Sequence, residues 1–205
     1  MPRVKVQRKS TAIDMTAMCD VAFLLLTFFI LTAKPKPEDP IKAEVPQSII
    51  TQPVPDDNMA TLTVGQGKVF FSVDGTDVRK QTLQQMAEKY QQKFSQAEYD
   101  RFAVTEVFGV PVASLHQFLA LTSEQKKTYQ QPGIPKDTTA NNELFNWIRE
   151  ARVAAKALHN KELRVSIKGD NHEEYPTIKT VISILQKQKV NKFSLITALR
   201  AAPKK

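Results

Sequence analysis

The residue with the most chemistry available to it is Asp20. It is the single charge in a nineteen-residue apolar stretch, residues 15–33, MTAMCDVAFLLLTFFILTA. Placing a carboxylate well inside hydrocarbon costs about 2.5–3.5 kcal/mol on insertion scales, so such a group is placed there for a reason. It either relays protons or ions, or it holds helices together by hydrogen bonds. A carboxyl at that depth can take a proton from one side of a membrane and release it on the other. Each elementary charge that crosses yields about 2.3 kcal/mol per 100 mV, which is enough for repeated protonation to do work.

The element that must carry Asp20 is a helix. At about 1.5 Å per residue the stretch covers about 28 Å, close to the hydrocarbon thickness of a bilayer. At about 100° per residue, Thr16 lies about 40° from Asp20 and Thr27 about 20° from it on the same side. Thr16, Asp20 and Thr27 therefore form one narrow polar stripe, and Phe23, Leu25, Leu26, Phe28 and Phe29 cover most of the remaining circumference. A second reading takes residues 21–33 as the core of a cleaved leader behind Arg3, Lys5, Arg8 and Lys9, with Leu31-Thr32-Ala33 as the cut site. A sorted polar stripe has no use in a leader, and Lys34 and Pro35 are poor residues to follow a cut, so the anchor reading is favoured. Cys19, beside Asp20, reads as a small packing residue. Lys34, Lys36 and Lys42 follow the span, so the asymmetry of basic residues across it is slight.

The segment Ile13-Asp14-Met15-Thr16-Ala17-Met18-Cys19-Asp20-Val21-Ala22-Phe23-Leu24-Leu25-Leu26 resembles the transmembrane signature of the ExbD/TolR family. That signature is Ile-x-x-Thr-Pro-x-x-Asp followed by an aliphatic run, and Ala17 stands here where it has proline. Glu44-Val45-Pro46-Gln47-Ser48 is similar to the Leu-Pro motif that members carry just outside the membrane, with Val45 for Leu. The resemblance extends over roughly residues 1–95 and 160–198. It implies that Asp20 is the proton carrier and that Thr16 and Thr27 support it. It also implies a resting-state role for the linker motif Val45, Pro46, Gln47 and Ser48. The implied machine is an ExbD-like, non-enzymatic energy transducer. Its helix pairs with a second ExbD-type chain inside a ring of ExbB-like subunits and drives a TonB-like protein to power outer-membrane uptake. The N-terminus would then be cytoplasmic and the C-terminal domain periplasmic, in a bacterial inner membrane. TolR-like or motor-stator-like subunits are the related alternatives, and a secreted or tethered binding module is the unrelated one. A motor stator calls for a peptidoglycan-binding domain, and none is recognisable.

The expected organisation is a tail (residues 1–14), a transmembrane helix (15–33), a linker (34–58) and an α+β domain (59–198) with an insertion at about 96–142. Pro35, Pro37, Pro40, Pro46, Pro53 and Pro55, half of the twelve prolines, punctuate the linker and make it a semi-rigid tether. Within it, residues 45–50 could add a strand to the sheet of the domain. Residues 61–64 and 68–73 around Gly65-Gln66-Gly67 read as a hairpin. Leu83, Met86, Ala87, Tyr90 and Phe94 predict a helix over 80–94. Leu144, Trp147, Ile148, Ala151, Ala155 and Leu158 predict another, with Asn141 or Asn142 as N-cap. Leu163, Val165 and Ile167 alternate as a strand. Ile178, Val181, Ile182 and Leu185 form a helix face behind Pro176, and 193–197 closes a βαβ unit. The fold class is thus a single transmembrane helix plus a small α+β domain, a mixed sheet with helices on one face. Residues 96–142 are too apolar at Phe102, Val104, Val107, Phe108, Val110 and Val112 for a floppy loop. They read as an inserted subdomain with a helix from Pro111 and a loop at 130–140.

Composition narrows the classes. With 205 residues, 41% hydrophobic and 24% charged, the chain is an ordinary globular length and mix, and its mean hydropathy of −0.34 excludes a multi-spanning protein. One cysteine excludes a disulfide framework or a cysteine zinc site. His116, His159 and His172 lack ligand spacing, so no metal or cofactor is expected. Asp74, Asp77, Asp170, Glu173 and Glu174 read as turn and solvating residues rather than as a general acid–base pair. The net charge of +8 comes without a clustered arginine and aromatic stripe, so nucleic acid is not an expected partner, whereas membrane lipid is.

Overall fold

The structure, a computed structural model, describes residues 15–33, 40–41, 43–48, 58–137 and 142–199. By internal contacts the chain divides into residues 1–36 and residues 37–205.

The first unit contributes α1 (Met15–Thr32), 18 residues with no glycine or proline to interrupt them. It is the one described helix long and apolar enough to cross a membrane, with a mean hydropathy of 2.0 and no buried residue. With alanine at position 17, the backbone runs through in unbroken helix. The Thr27 and Thr32 hydroxyls donate to the Leu24 and Phe28 carbonyls at 2.9 and 2.8 Å, so these polar side chains are satisfied within the helix itself.

The second unit is a mixed sheet with helices on one face. In chain order it runs β1 (Gln47–Ser48), β2 (Met59–Gly65), β3 (Lys68–Val73), α2 (Thr76–Tyr90), α3 (Gln96–Val104) and β4 (Val107–Phe108). A 3-10 turn leads into α4 (Leu115–Ala120), followed by α5 (Ser123–Thr128), α6 (Glu143–His159), β5 (Arg164–Gly169), α7 (Tyr175–Lys187), β6 (Phe193–Leu195) and β7 (Ala198–Leu199). Five strands form one sheet in the order β4-β3-β2-β5-β6. β2 and β3 are the predicted hairpin, turning through Gln66 and Gly67 at φ 54° and 70°, the pair of positive angles that a two-residue turn between twisted strands requires. β5, α7 and β6 make the expected parallel βαβ unit.

The hydrophobic period of two puts Ala60, Leu62, Val64, Val69, Phe71, Val73, Val165 and Ile167 on one face of the sheet. That face meets the apolar sides of α2 and α6, with Trp147 fully buried between Phe102 (5.8 Å between ring centroids) and Phe108 (4.8 Å). Asn142 is the N-cap of α6, its side chain accepting from the Phe145 N–H at 3.1 Å. Helix α2 starts and ends four residues before the predicted bounds. Val78 joins its buried face, and Gln91 in the left-handed region stops it, so Phe94 packs on the core from outside the helix.

Two expectations change. Among its described residues, the segment read as an inserted subdomain has no core of its own. Phe102, Phe108, Val110, Val112, Leu115, Phe118, Leu119 and Ile134 belong to the core of the sheet. Its most loop-like part is pinned, the Ile134 N–H donating to Val69 O at 2.8 Å and the Gly109 N–H to Gln131 Oε1 at 2.6 Å. Gly109 is needed where it stands, because a Cβ there would lie 2.3 Å from the Phe70 ring. The linker strand does form, but outside the main sheet. β1 pairs in parallel with β7, Gln47 opposite Ala198 and Ser48 opposite Leu199, as a separate two-stranded sheet. The partner available to it is the chain after β6, which continues in extended form to β7.

Candidate functional site

Helix α1 places Thr16, Asp20 and Thr27 by its period alone. Positions four before and seven after Asp20 return to within about 40° and 20° of it, spaced about 6 and 10.5 Å along the axis. Asp20 lies six residues into the described helix and is exposed, as are Phe23, Leu25, Leu26, Phe28 and Phe29 around it; Thr27 is half-buried. The Thr27 hydroxyl proton is committed to the Leu24 carbonyl, which leaves its oxygen free to accept. The stripe can therefore offer a carboxyl and a hydroxyl acceptor to water or to another helix, with apolar surface on either side. Cys19 is a free, exposed thiol next to it.

The linker motif occupies a second place, on the C-terminal unit. Val45 is half-buried and Pro46 exposed. The Pro46 carbonyl accepts from the Ala198 N–H at 2.9 Å, directly ahead of the β1–β7 pairing of Gln47 and Ser48. Two anchors that the motif does not contain precede it. Ile41 is 8% exposed and lies against Gly65, and the Glu44 carbonyl accepts from the Asn171 N–H at 2.7 Å. Ile41, Ala43 and Val45 alternate with Lys42 and Glu44, and that period of two is the sequence signal for it. Residues 40–48, where described, thus form a strap across the domain rather than a free tether. Pro35, Pro37, Pro53 and Pro55 lie outside the described residues.

The other titratable candidates do not converge. His116 Nδ1 meets Glu98 at 2.8 Å, His159 Nε2 meets Asp77 at 3.0 Å and His172 Nδ1 meets Asp170 at 3.6 Å, each with a different carboxylate. Glu173 accepts from the Gly67 N–H at 3.0 Å, and Asp74 from the Met59 N–H at 3.3 Å. These are turn and loop fastenings. The Ser95 backbone N–H, with the His116 ring second, holds the Glu98 carboxyl below its ordinary value. Burial pushes Glu143 up, even though it accepts from the Val112 N–H at 3.0 Å.

Comparison with known proteins agrees with one apolar N-terminal helix followed by a small α+β domain. No curated protein and no solved structure matches this chain. The family model described as biopolymer transport protein ExbD/TolR matches residues 7–199, which takes in α1, the strap, the residues between α2 and α6, and β7. With nearly its whole length matched, the chain belongs to the ExbD/TolR family.

Proposed function

We propose that this chain is the ExbD-like, proton-carrying subunit of an inner-membrane complex that uses the proton-motive force to power TonB-dependent transport across an outer membrane. The observation that carries the reading is Asp20, an acid in an otherwise uncharged 18-residue helix, in line with Thr16 and Thr27. In this reading α1 spans the membrane with its N-terminus cytoplasmic, paired with a second ExbD-type helix inside a ring of ExbB-like subunits. The domain lies in the periplasm and engages a TonB-like protein. Each protonation of Asp20 removes a charge, and that changes which surface of a neighbouring subunit the stripe can face without burying an ion. The cycle of gain and loss then becomes motion of the helix. The strap at residues 40–48 holds the resting arrangement, and releasing Gln47 and Ser48 from β7 frees linker length to reach a partner.

Asp20→Asn tests this, because it keeps the shape and removes the titration. Growth on a nutrient that needs TonB-dependent uptake should stop while the variant still co-purifies with the ring subunits. Unchanged growth would defeat the proposal. N-terminal sequencing of the membrane-extracted protein should show that α1 is retained, and a mature start at Lys34 would replace the transducer by a secreted module.

A further inference from the structure

At the end of the sheet where the parallel strands β2, β5 and β6 begin, an open cleft of about 1260 Å³ is lined by Arg152, Lys161, Arg164, Lys189 and Lys192 against one carboxylate, Glu162. Five cations less one anion leave a formal +4 in this cleft, half of the +8 carried by the whole chain. Among the described residues no ion pair neutralises any of the five. Arg152 commits one N–H to the Gln188 carbonyl at 3.3 Å, which fixes its stem and leaves the rest of its fork available.

The frame is rigid. The Asn58 side-chain amide donates to the Glu162 carbonyl at 2.9 Å, bracing the loop that carries Lys161. The Val190 N–H donates to Leu185 O at 3.0 Å, which closes the turn between Lys189 and Lys192. Leu163, Val165 and Val190 are buried beneath the cations. Like charges held over an apolar floor repel one another and focus their field outward, so the cleft is arranged for an anion that arrives from solvent.

The geometry points to a ligand with two or more phosphate groups, bound between the arginine pair and the three lysines. A single carboxylate would neutralise a quarter of the excess. Clustered phosphates can match it within one cleft, and guanidinium forks engage phosphate oxygens two at a time while lysines serve as point charges. This site is separate from Asp20 and from the strap, and it stands or falls independently of the proton-carrier reading. The phosphates could belong to a soluble molecule or to the headgroup of a lipid.

The test uses the full chain held in phosphatidylcholine nanodiscs. Inorganic tripolyphosphate is titrated by calorimetry, and co-sedimentation is measured with phosphatidylcholine vesicles with and without cardiolipin. Binding should weaken at least about tenfold in Lys161→Glu/Lys192→Glu, an exposed pair whose reversal leaves the melting temperature in place, and should also weaken with added salt. Hydrogen exchange on loading should slow at residues 161–165 and 189–194. Capture of tripolyphosphate alone assigns a soluble source, and preference for the cardiolipin vesicles assigns a lipid one. The proposal is overturned by silence in both arms, by equal binding to the double variant, by protection elsewhere in the domain, or by a poly-glutamate peptide that outcompetes tripolyphosphate.

Discussion

Helix α1 holds Asp20 in the opposite way to that in which the domain holds Glu98, Asp77 and Glu173. Among the described residues Asp20 has no partner, whereas Glu98 is bonded to Ser95 and His116, Asp77 to His159 and Glu173 to Gly67. The apolar side chains follow the same division. Those of α1 are exposed, and Leu62, Phe71, Leu83 and Trp147 are sealed. The domain closes on itself, its apolar side chains sealing one another while Glu98, Asp77 and Glu173 each meet a neighbour. Helix α1 satisfies its Thr27 and Thr32 hydroxyls internally but buries none of its apolar surface, so its polar stripe acquires a function only against what surrounds it. The comparison therefore makes a division of labour testable: changes in α1 should alter activity without altering folding, and changes in the domain core should do the reverse.

The largest effect expected is in α1. Asp20→Asn should abolish proton-driven activity, and Asp20→Glu, which retains a titrating carboxyl, should restore part of it. Neither should shift the unfolding transition of the domain. The chain has a single tryptophan, Trp147, buried in that domain, so its fluorescence in the full chain reports domain unfolding alone. A drop of several degrees in the transition of Asp20→Asn would show that the two regions are not separable in this way.

The next effect lies in the core. Trp147→Ala removes the ring stacked on Phe102 and set edge-on to Phe108, at a cost of about 3–5 kcal/mol. Trp147→Phe should cost less, because it keeps an aromatic ring and removes an indole N–H that has no described partner. Chemical denaturation followed by circular dichroism measures both. A loss below about 1 kcal/mol for the alanine variant would mean that the aromatic cluster is not the centre of the fold.

Gly109→Ala should cost about 1–3 kcal/mol, since the new methyl would meet the Phe70 ring at 2.3 Å and one of the two must move. This variant also tests the reassignment of the described part of residues 96–142 from subdomain to core. If that segment folded apart from the sheet, the cost would not reach the main unfolding transition.

What could be read in the sequence followed from period and length. Helices α6 and α7 repeat an apolar face over three or more turns, β2 and β5 alternate, and β3 is a short run of Val and Phe behind a Gly-containing turn, so each declares itself locally. Asp20 and its stripe were legible for the same reason, because a helix of fixed period places Thr16 and Thr27 without any tertiary information. Helix α4 has six residues and β4 has two, too few to express a period, so the apolar residues there showed burial without showing against what, and α5, SEQKKT, has no apolar residue to signal it at all. The partner of the linker strand was hidden for another reason. Gln47 meets Ala198 across 151 positions of chain, and two residues on each side carry no pattern that specifies the other. The basic cleft was hidden likewise, since Lys161, Arg164, Lys189 and Lys192 are separated in sequence by all of α7 and come together only when β5 pairs with β6.

The smallest effect compares a paired carboxylate with the unpaired one. Glu98 closes a capping box at the start of α3, accepting from the Ser95 N–H at 2.7 Å, and it also meets His116, which stacks on Phe94 at 4.2 Å. Because these partners lower its folded pKa, the stability it contributes is fully present above its unfolded value, about 4.3, and is lost as pH falls through the lower folded value. Glu98→Gln should therefore lie below the parent chain at neutral pH and converge with it as pH falls below about 4. Ser95→Ala, which removes the cap itself, should cost about 1 kcal/mol at neutral pH. Tryptophan-monitored unfolding across that range is the measurement, and an offset that persists unchanged at low pH would assign the loss to packing instead of charge. Under the proposed function Asp20 carries the working proton, so activity should not follow the same curve. A pH profile of uptake that tracked the stability of Glu98 would transfer the function from the lone acid to the bonded one.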